Sequence, residues 1–420
     1  MAIHAERAKY DAQYRYGVEG NSGMTQRPGL HLAVALDGAG WHPAAWREPD
    51  ARPDELFTAR YWTDLVREAE TGLLDFVTIE DSLGLEPSRF DGPEDRTDQV
   101  RGRLDAVLIA ARVAPLTSRI GLVPTAVVSH TEPFHLSKAI ATLDYVSGGR
   151  AGVRVQVSGR QSEARHFGRR EFPEFRLDDV RNLDGPLEDL FDEARDYIEV
   201  LRRLWDSWED DAEIRDVATG RFVDRDKLHY IDFEGRWFKV KGPSITPRPP
   251  QGQPLVAARA HATVAYRLAA RSADLVFVTP HDTGDVPAIV NEIREEQDEA
   301  GRAGETVHTF GDLVVFLGET ATAAADRKAG LDELAGSDFT SDAAVFTGTP
   351  AGLADQLIDW RDAGLSGFRL RPAAIPHDLT AIARGLVPEL QARGAFRREY
   401  EARTLRGLLG LSRPANRYVA

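Results

Sequence analysis

Eight apolar, strand-like runs recur along this 420-residue chain, and each leads into a stretch with helical periodicity. They are "LHLAVAL" (30–36), "LDFVTIE" (74–80), "RIGLVPTAVV" (119–128), "AGVRVQV" (151–157), "PLVAA" (254–258), "ADLVFVT" (273–279), "DLVVFLG" (312–318) and "GFRLRP" (367–372). Such alternation specifies parallel strands with crossover helices. An open nucleotide-binding sheet places a glycine-rich phosphate turn after its first strand. Here the first strand runs into "DGAGWHPAAWREP", where proline soon breaks the short "DGAG". The pattern therefore predicts an α/β fold of the TIM-like (β/α)8 barrel type with insertions.

The insertions are legible too. Residues 82–102 and 159–185 are long polar loops after the second and fourth strands, on the C-terminal face where barrel sites lie. Residues 209–253 separate a helix from the fifth strand, and "HYIDFEGRWFKV" predicts a β-hairpin turning at Glu234-Gly235. That insertion is expected at the opposite end or flank of the barrel. The domain reading is an N-terminal extension (1–29) and a single barrel domain (30–420), with the insertion at about 209–253 and a C-terminal helical tail at about 380–420.

A net charge of −15 argues against a nucleic-acid partner, which needs a basic footprint. No run of ~18 apolar residues suggests a membrane span. The polar N-terminus resembles neither a signal nor a transit peptide, so the cytoplasm is the expected location. With no cysteine, disulfides, thiolate metal sites and cysteine nucleophiles drop out together. No HExxH-type spacing appears either, so no metal is expected.

The fourth strand carries the chemistry. In "LDYVSGGRAGVRVQVSG" (143–159), Val153, Val155 and Val157 share one face while Arg154, Gln156 and Ser158 share the other. The valines suit the helices outside a barrel, which turns the polar set toward the axis and a ligand. A solvated sheet edge or an internal salt bridge is the alternative for that polar face.

At this point a resemblance adds to the pattern. "TLDYVSGGRAGVRVQVSG" is similar to the helix-to-strand junction of bacterial luciferase-like, flavin-dependent monooxygenases. "GAGWHPAAWREP", "LDFVTIEDSLG", "HYIDFEGRWFKVKGPSITPRPPQGQPLV" and the closing "RPANRY" resemble the branch containing nitrilotriacetate, EDTA and dibenzothiophene-sulfone monooxygenases. The likeness runs over residues 30–420 almost continuously. It implies reduced FMN at the C-terminal face, delivered by a separate flavin reductase, with O2 and a small organic substrate as co-reactants. It also implies a homo-oligomer, either dimer or tetramer.

Matched residue by residue, the resemblance implies a flavin-facing acid at Asp81 and a closing serine at Ser158. Departures are as informative. Val127 and Val128 stand where the family has Ser and Thr, leaving backbone contacts at Val127 and a role for Ser129 or His130. Arg154 replaces an Asn and adds positive charge beside the ring. The phosphate turn reads "AARAH" (257–261), and Leu187 and Phe191 replace the phosphate-binding His and Tyr. Arg259, His261 and Thr263 are the candidate substitutes. These changes leave open the deazaflavin F420 as cofactor, in an oxidoreductase of the same superfamily, or a non-catalytic flavin-binding barrel. His42, His130 and His281, each just after a strand, are the acid–base candidates. A barrel hydrolase using Glu80 with Asp81 is disfavoured, because adjacent strand residues face opposite ways.

Overall fold

The computed structural model describes residues 29–85, 96–172 and 184–419. Most of the expected N-terminal extension lies outside these residues, as do positions 86–95 and 173–183 of the two long loops. Four parallel strands come first: β1 (His31–Leu36), β2 (Phe76–Ile79), β3 (Gly121–Val127) and β4 (Gly152–Gln156). Two antiparallel pairs follow, β5 (Glu213–Asp216) with β6 (Arg221–Val223), and β7 (Phe233–Glu234) with β8 (Lys239–Val240). Then come β9 (Leu255–Arg259), β10 (Leu275–Val278), β11 (His308–Leu317), β12 (Ala344–Gly348) and β13 (Gly367–Pro372).

The pairing order β10-β9-β4-β3-β2-β1-β13-β11, closed by β10 on β11, makes an eight-stranded parallel barrel. All eight predicted strands are its staves. The seventh departs from expectation: it starts at His308 rather than Asp312 and is 10 residues long. That length lets one edge of β11 serve two partners. Its first residues pair with β10, and Leu313–Leu317 pair with β12, a strand absent from the sequence reading.

Local chemistry sets the junctions. The helix Pro133–Ser147 opens with proline, whose missing N–H costs nothing there, and stops at Gly148 in the left-handed region (φ 70°). Asp144 in its last turn accepts from the Gln251 backbone N–H (3.0 Å), Gln251 Nε2 (2.6 Å) and the Ala151 N–H (3.2 Å). The "LDYVSGGRAG" stretch is therefore a buried hydrogen-bonded joint between helix, β4 and the segment before β9.

The tail closes the N-terminal end. Leu405 and Leu409 pack into the barrel against Ala33, Phe76, Val123, Leu255, Leu275 and Phe310. The β7–β8 hairpin appears where predicted, but it does not sit at the end opposite the site. Phe238 packs on Tyr197 of the helix Asp184–Asp206, and Trp237–Val240 share a cavity with Ser129–Glu132 beyond β3. Among the described residues, no helix is long and apolar enough to cross a membrane.

Candidate active site

Strand alternation layers the barrel interior. The lower layer is apolar, and Leu405 and Leu409 of the tail pack against it. One pleat higher the inward positions turn polar: Thr78 and Glu80 after Phe76, Thr125 after Val123, Arg154 on β4, Asp312 after Phe310, and Arg369 and Arg371 on β13. Phe368 and Leu370 alternate with those arginines and pack outward with the main core, as do Val153 and Val155 on β4.

These groups form one ion-pair network across the axis. Arg154 bonds Glu80, donates from Nε to Thr125 Oγ1 (2.9 Å) and from Nη2 to Gln156 Oε1 (3.1 Å). Arg369 donates to Glu80 Oε1 (3.1 Å) and makes a two-pronged contact with Asp312 (2.7 and 2.5 Å). Its guanidinium also lies 4.2 Å from the centre of the Phe277 ring. Arg371 bonds Asp312 and, through Nη1, Asp342 Oδ1 (2.8 Å). Arg259 reaches the same Asp342 through Nη1 (3.2 Å).

Arg154, Arg369, Arg371 and Asp312 are each about 1% exposed or less, so the charges survive only because they are paired. Burial works against the Asp312 carboxylate, but Arg369 and Arg371 hold its pKa at about 2. Burial likewise opposes the charge on Glu80, and Arg154 and Arg369 outweigh it, keeping that carboxyl below its ordinary range. Four guanidiniums (154, 259, 369, 371) face three carboxylates (80, 312, 342), leaving the network cationic by one charge. Such a pocket attracts an anion.

The predicted residues divide. Arg154 is in the network, Val127 follows Thr125 on the same inward face, and Arg259 and His261 converge on Asp342. His261 Nδ1 pairs with Thr279 Oγ1 at 2.8 Å. Ser129 and Ser158 join the loops beyond β3 and β4, the Ser158 N–H donating to Ser129 Oγ at 2.8 Å. Asp81 is elsewhere: it accepts from the Ser82 N–H (2.8 Å) and the Ala106 N–H (3.0 Å), holding the start of the helix Ala106–Val113. Glu80 is the acid on β2 that enters the barrel. Thr263 turns away and donates to Glu292 Oε1 (2.6 Å). The helix it opens, Thr263–Ser272, nevertheless has no side-chain cap at Ala262, so its first amides remain available to an anion.

The histidines are spread apart. His42 Nδ1 accepts from the Ala44 N–H (3.1 Å), which puts the proton on Nε2, facing Asp332 (3.1 Å). This is a neutral, positioned ring in the loop after β1, and burial lowers its pKa. His281 is exposed on the loop after β10. His130 is buried, stacks on Phe167 (5.4 Å between centroids) and lines a ≈ 170 Å³ cavity with the β7–β8 hairpin. Its Nε2 is buried with no partner among the described residues.

Burial, with a smaller contribution from Arg170, lowers the His130 pKa to about 4. An NMR titration should find this ring neutral at pH 6 and protonating near pH 4. The depressed value also means that His130 supports the native state above the ordinary histidine range and withdraws that support as pH falls toward 4. A ring protonating near pH 6.5 contradicts the buried placement.

Sequence reading missed Glu80 as a group facing the barrel axis, and missed Asp312, Asp342, Arg369 and Arg371. The signal for both arginines was present: "GFRLRP" alternates just as "GVRVQV" does. Asp342 had no such signal, since it stands in a turn.

A closed parallel barrel whose C-terminal mouth carries a buried, charged lining defines the architecture. Its class follows from comparison. The family model described as luciferase-like monooxygenase matches residues 39–335, and the chain belongs to that family. N-acetyl-S-(2-succino)cysteine monooxygenase of Bacillus subtilis (strain 168) is 30% identical, over 93% of this chain and 98% of that protein. Nitrilotriacetate monooxygenase component A of Aminobacter aminovorans is also 30% identical, over 92% and 97%. Among solved structures, a long-chain alkane monooxygenase superposes with a TM-score of 0.79 over 92% of this chain and 96% of that one. At 24% identity that likeness speaks for the fold. The chain is thus an oxidoreductase of the luciferase-like type.

Proposed function

We propose that this chain is the oxygenating component of a two-component monooxygenase, using reduced FMN from a separate reductase and O2 to oxidise a small organic molecule. The observation that carries the reading is the cationic, buried network at the C-terminal mouth of a luciferase-like barrel. Its residues fit the cofactor on charge. A dianionic phosphate suits the uncapped amides at Thr263 and Val264 with Arg259 and His261 beside them. A reduced ring with anionic character suits Arg154.

Reduced FMN, when bound, supplies the electrons and the centre that activates oxygen. The chain supplies placement. Arg154, fixed by Glu80, Thr125 and Gln156, presents a rigid guanidinium at the floor of the mouth. Val127 gives the floor an apolar edge that excludes water. The neutral ring of His130 offers a donor or acceptor at the rim, where a substrate polar group can meet it. The relative named component A supports a partner reductase, and two relatives are named for acting on nitrilotriacetate and N-acetyl-S-(2-succino)cysteine.

An anaerobic titration with reduced FMN and, separately, reduced F420 tests the reading. Saturable binding of reduced FMN, followed by oxygen consumption on aeration, is expected. Binding of F420 alone transfers the chain to deazaflavin chemistry, and binding of neither marks a barrel that has lost its cofactor.

A further inference from the structure

Two imidazoles meet at the N-terminal floor of the barrel, at the end opposite the charged mouth. His31 stands two residues before Ala33 on β1, and His308 two residues before Phe310 on β11, so both continue the inward-facing lower layer downward. Between these strands lies β13, whose first residue, Gly367, is paired with His31 on one side and Phe310 on the other. Its missing side chain is required: a Cβ at Gly367 would stand 2.6 Å from the Phe310 ring and 2.8 Å from His31 Cβ. Across this glycine the His31 and His308 rings approach, with centroids 5.2 Å apart and planes at 78°.

Each ring has one nitrogen anchored and one left over. His31 Nδ1 lies 2.9 Å from Asp75 Oδ1, and a carboxylate only accepts, so the proton sits on Nδ1 and Nε2 is left for a ligand. Asp75 is itself held, accepting from the Leu32 N–H (2.8 Å) and from Arg397. His308 Nε2 lies 2.9 Å from the Leu409 carbonyl oxygen, which fixes its proton there. His308 Nδ1 is then a bare acceptor, buried with no partner among the described residues, on a residue 7% exposed.

A ring N–H committed to a carboxylate or a carbonyl, with the opposite nitrogen bare, is how metal-ligating histidines are held. The separation agrees as well, since two imidazoles on one tetrahedral ion place their ring centres about 5 Å apart. Both histidines line a ≈ 510 Å³ cavity, together with Thr309, Ser366, Asp298 and Glu305, which supplies an entry path and room for water.

We propose that His31 Nε2 and His308 Nδ1 bind one divalent transition-metal ion of the zinc type, with water in its remaining positions. No third histidine or carboxylate completes the set among the described residues, so the site is an open one. Arg397 is the opposing charge: it bonds Asp75, and its Nη2 lies 3.5 Å from His31 Nδ1, on the anchored side of that ring. The ion ties the first stave to the seventh across the eighth, at the end of the barrel that serves stability. No spacing rule could pair these residues, because they stand on different staves. The assignment is independent of the flavin reading.

Calorimetric titration of the flavin-free full chain with Zn²⁺, with Mg²⁺ as control, supplies the test. Zn²⁺ should bind at one site per chain and raise the melting temperature, whereas Mg²⁺, which takes oxygen ligands, should do neither. His31→Asn keeps a donor toward Asp75, and His308→Gln keeps one toward the Leu409 carbonyl, while each removes one bare ring nitrogen. Each should weaken Zn²⁺ binding at least about tenfold with the metal-free circular dichroism unchanged. Imidazole ¹⁵N spectra of the parent need no variant: Zn²⁺ should shift His31 Nε2 and His308 Nδ1 before any other histidine nitrogen. Tight Zn²⁺ binding that survives either substitution, or shifts confined to other histidines, places the ion elsewhere and overturns the proposal. Equal binding of Mg²⁺, or no saturable binding of Zn²⁺ to the parent, overturns it too.

Discussion

Asp312→Asn should destabilise the protein by about 3–5 kcal/mol, the usual cost of removing one partner from a buried ion pair. The side chain is fully buried and serves two guanidiniums, Arg369 by two contacts and Arg371 by one. An asparagine offers one acceptor in place of two charged oxygens, and its NH2 group points a donor at donors. Arg369 retains Glu80 and Arg371 retains Asp342, so the loss falls short of leaving either arginine alone. Urea denaturation of parent and variant measures the difference, and a change below ~1 kcal/mol contradicts the pairing described.

The same residue predicts acid behaviour. A carboxyl held at about 2 in the native state adds stability that is fully present above the ordinary aspartate range. That stability is lost as pH falls through the native value. The parent should therefore lose stability steadily from pH ~4 toward pH ~2, and the variant should lack this part of the acid limb.

Arg154→Gln should lower kcat/KM for reduced FMN in oxygen consumption about 10²-fold, the scale of deleting one preorganised electrostatic donor. The proposed role is to face the reduced ring with a fixed positive charge, and glutamine keeps hydrogen bonding while removing that charge. Glu80 then keeps Arg369 as its ion-pair partner among the described residues, so some stability is lost as well, and a thermal melt separates the two effects. Arg154→Lys is the discriminating companion. It restores the charge without the planar fork that holds Thr125 and Gln156, so it should recover part of the activity. A glutamine variant that binds reduced FMN as the parent does removes Arg154 from the ring.

How far the chain could be read in advance depends on the range of the forces involved. The eight staves were legible because each is a run of β-branched and apolar residues bounded by helical patterns, which is local information. So was the inward face of β4, where "GVRVQV" states its own alternation. The strand β12 was not: "AVFTG" lies outside the eight staves and pairs with β11 alone, whose length leaves it an edge. Asp81 and Glu80 show the same division. Either acid could have entered the barrel, and pleat register chose Glu80 while Asp81 took the amides of Ser82 and Ala106.

By itself, then, the sequence determined the parallel barrel, its long loops on the C-terminal side, the hairpin insertion and a polar lining on β4. Periodicity and turn chemistry act over a few residues, and those suffice. Only the tertiary structure decided which charges meet. Glu80, Arg154, Asp312, Asp342, Arg259, Arg369 and Arg371 come from six places in the chain, and no spacing rule links them. Closing the barrel brings them within hydrogen-bond distance, where burial makes each charge depend on its neighbours. The mouth is cationic by one guanidinium for that reason, although the chain as a whole carries a net charge of −15.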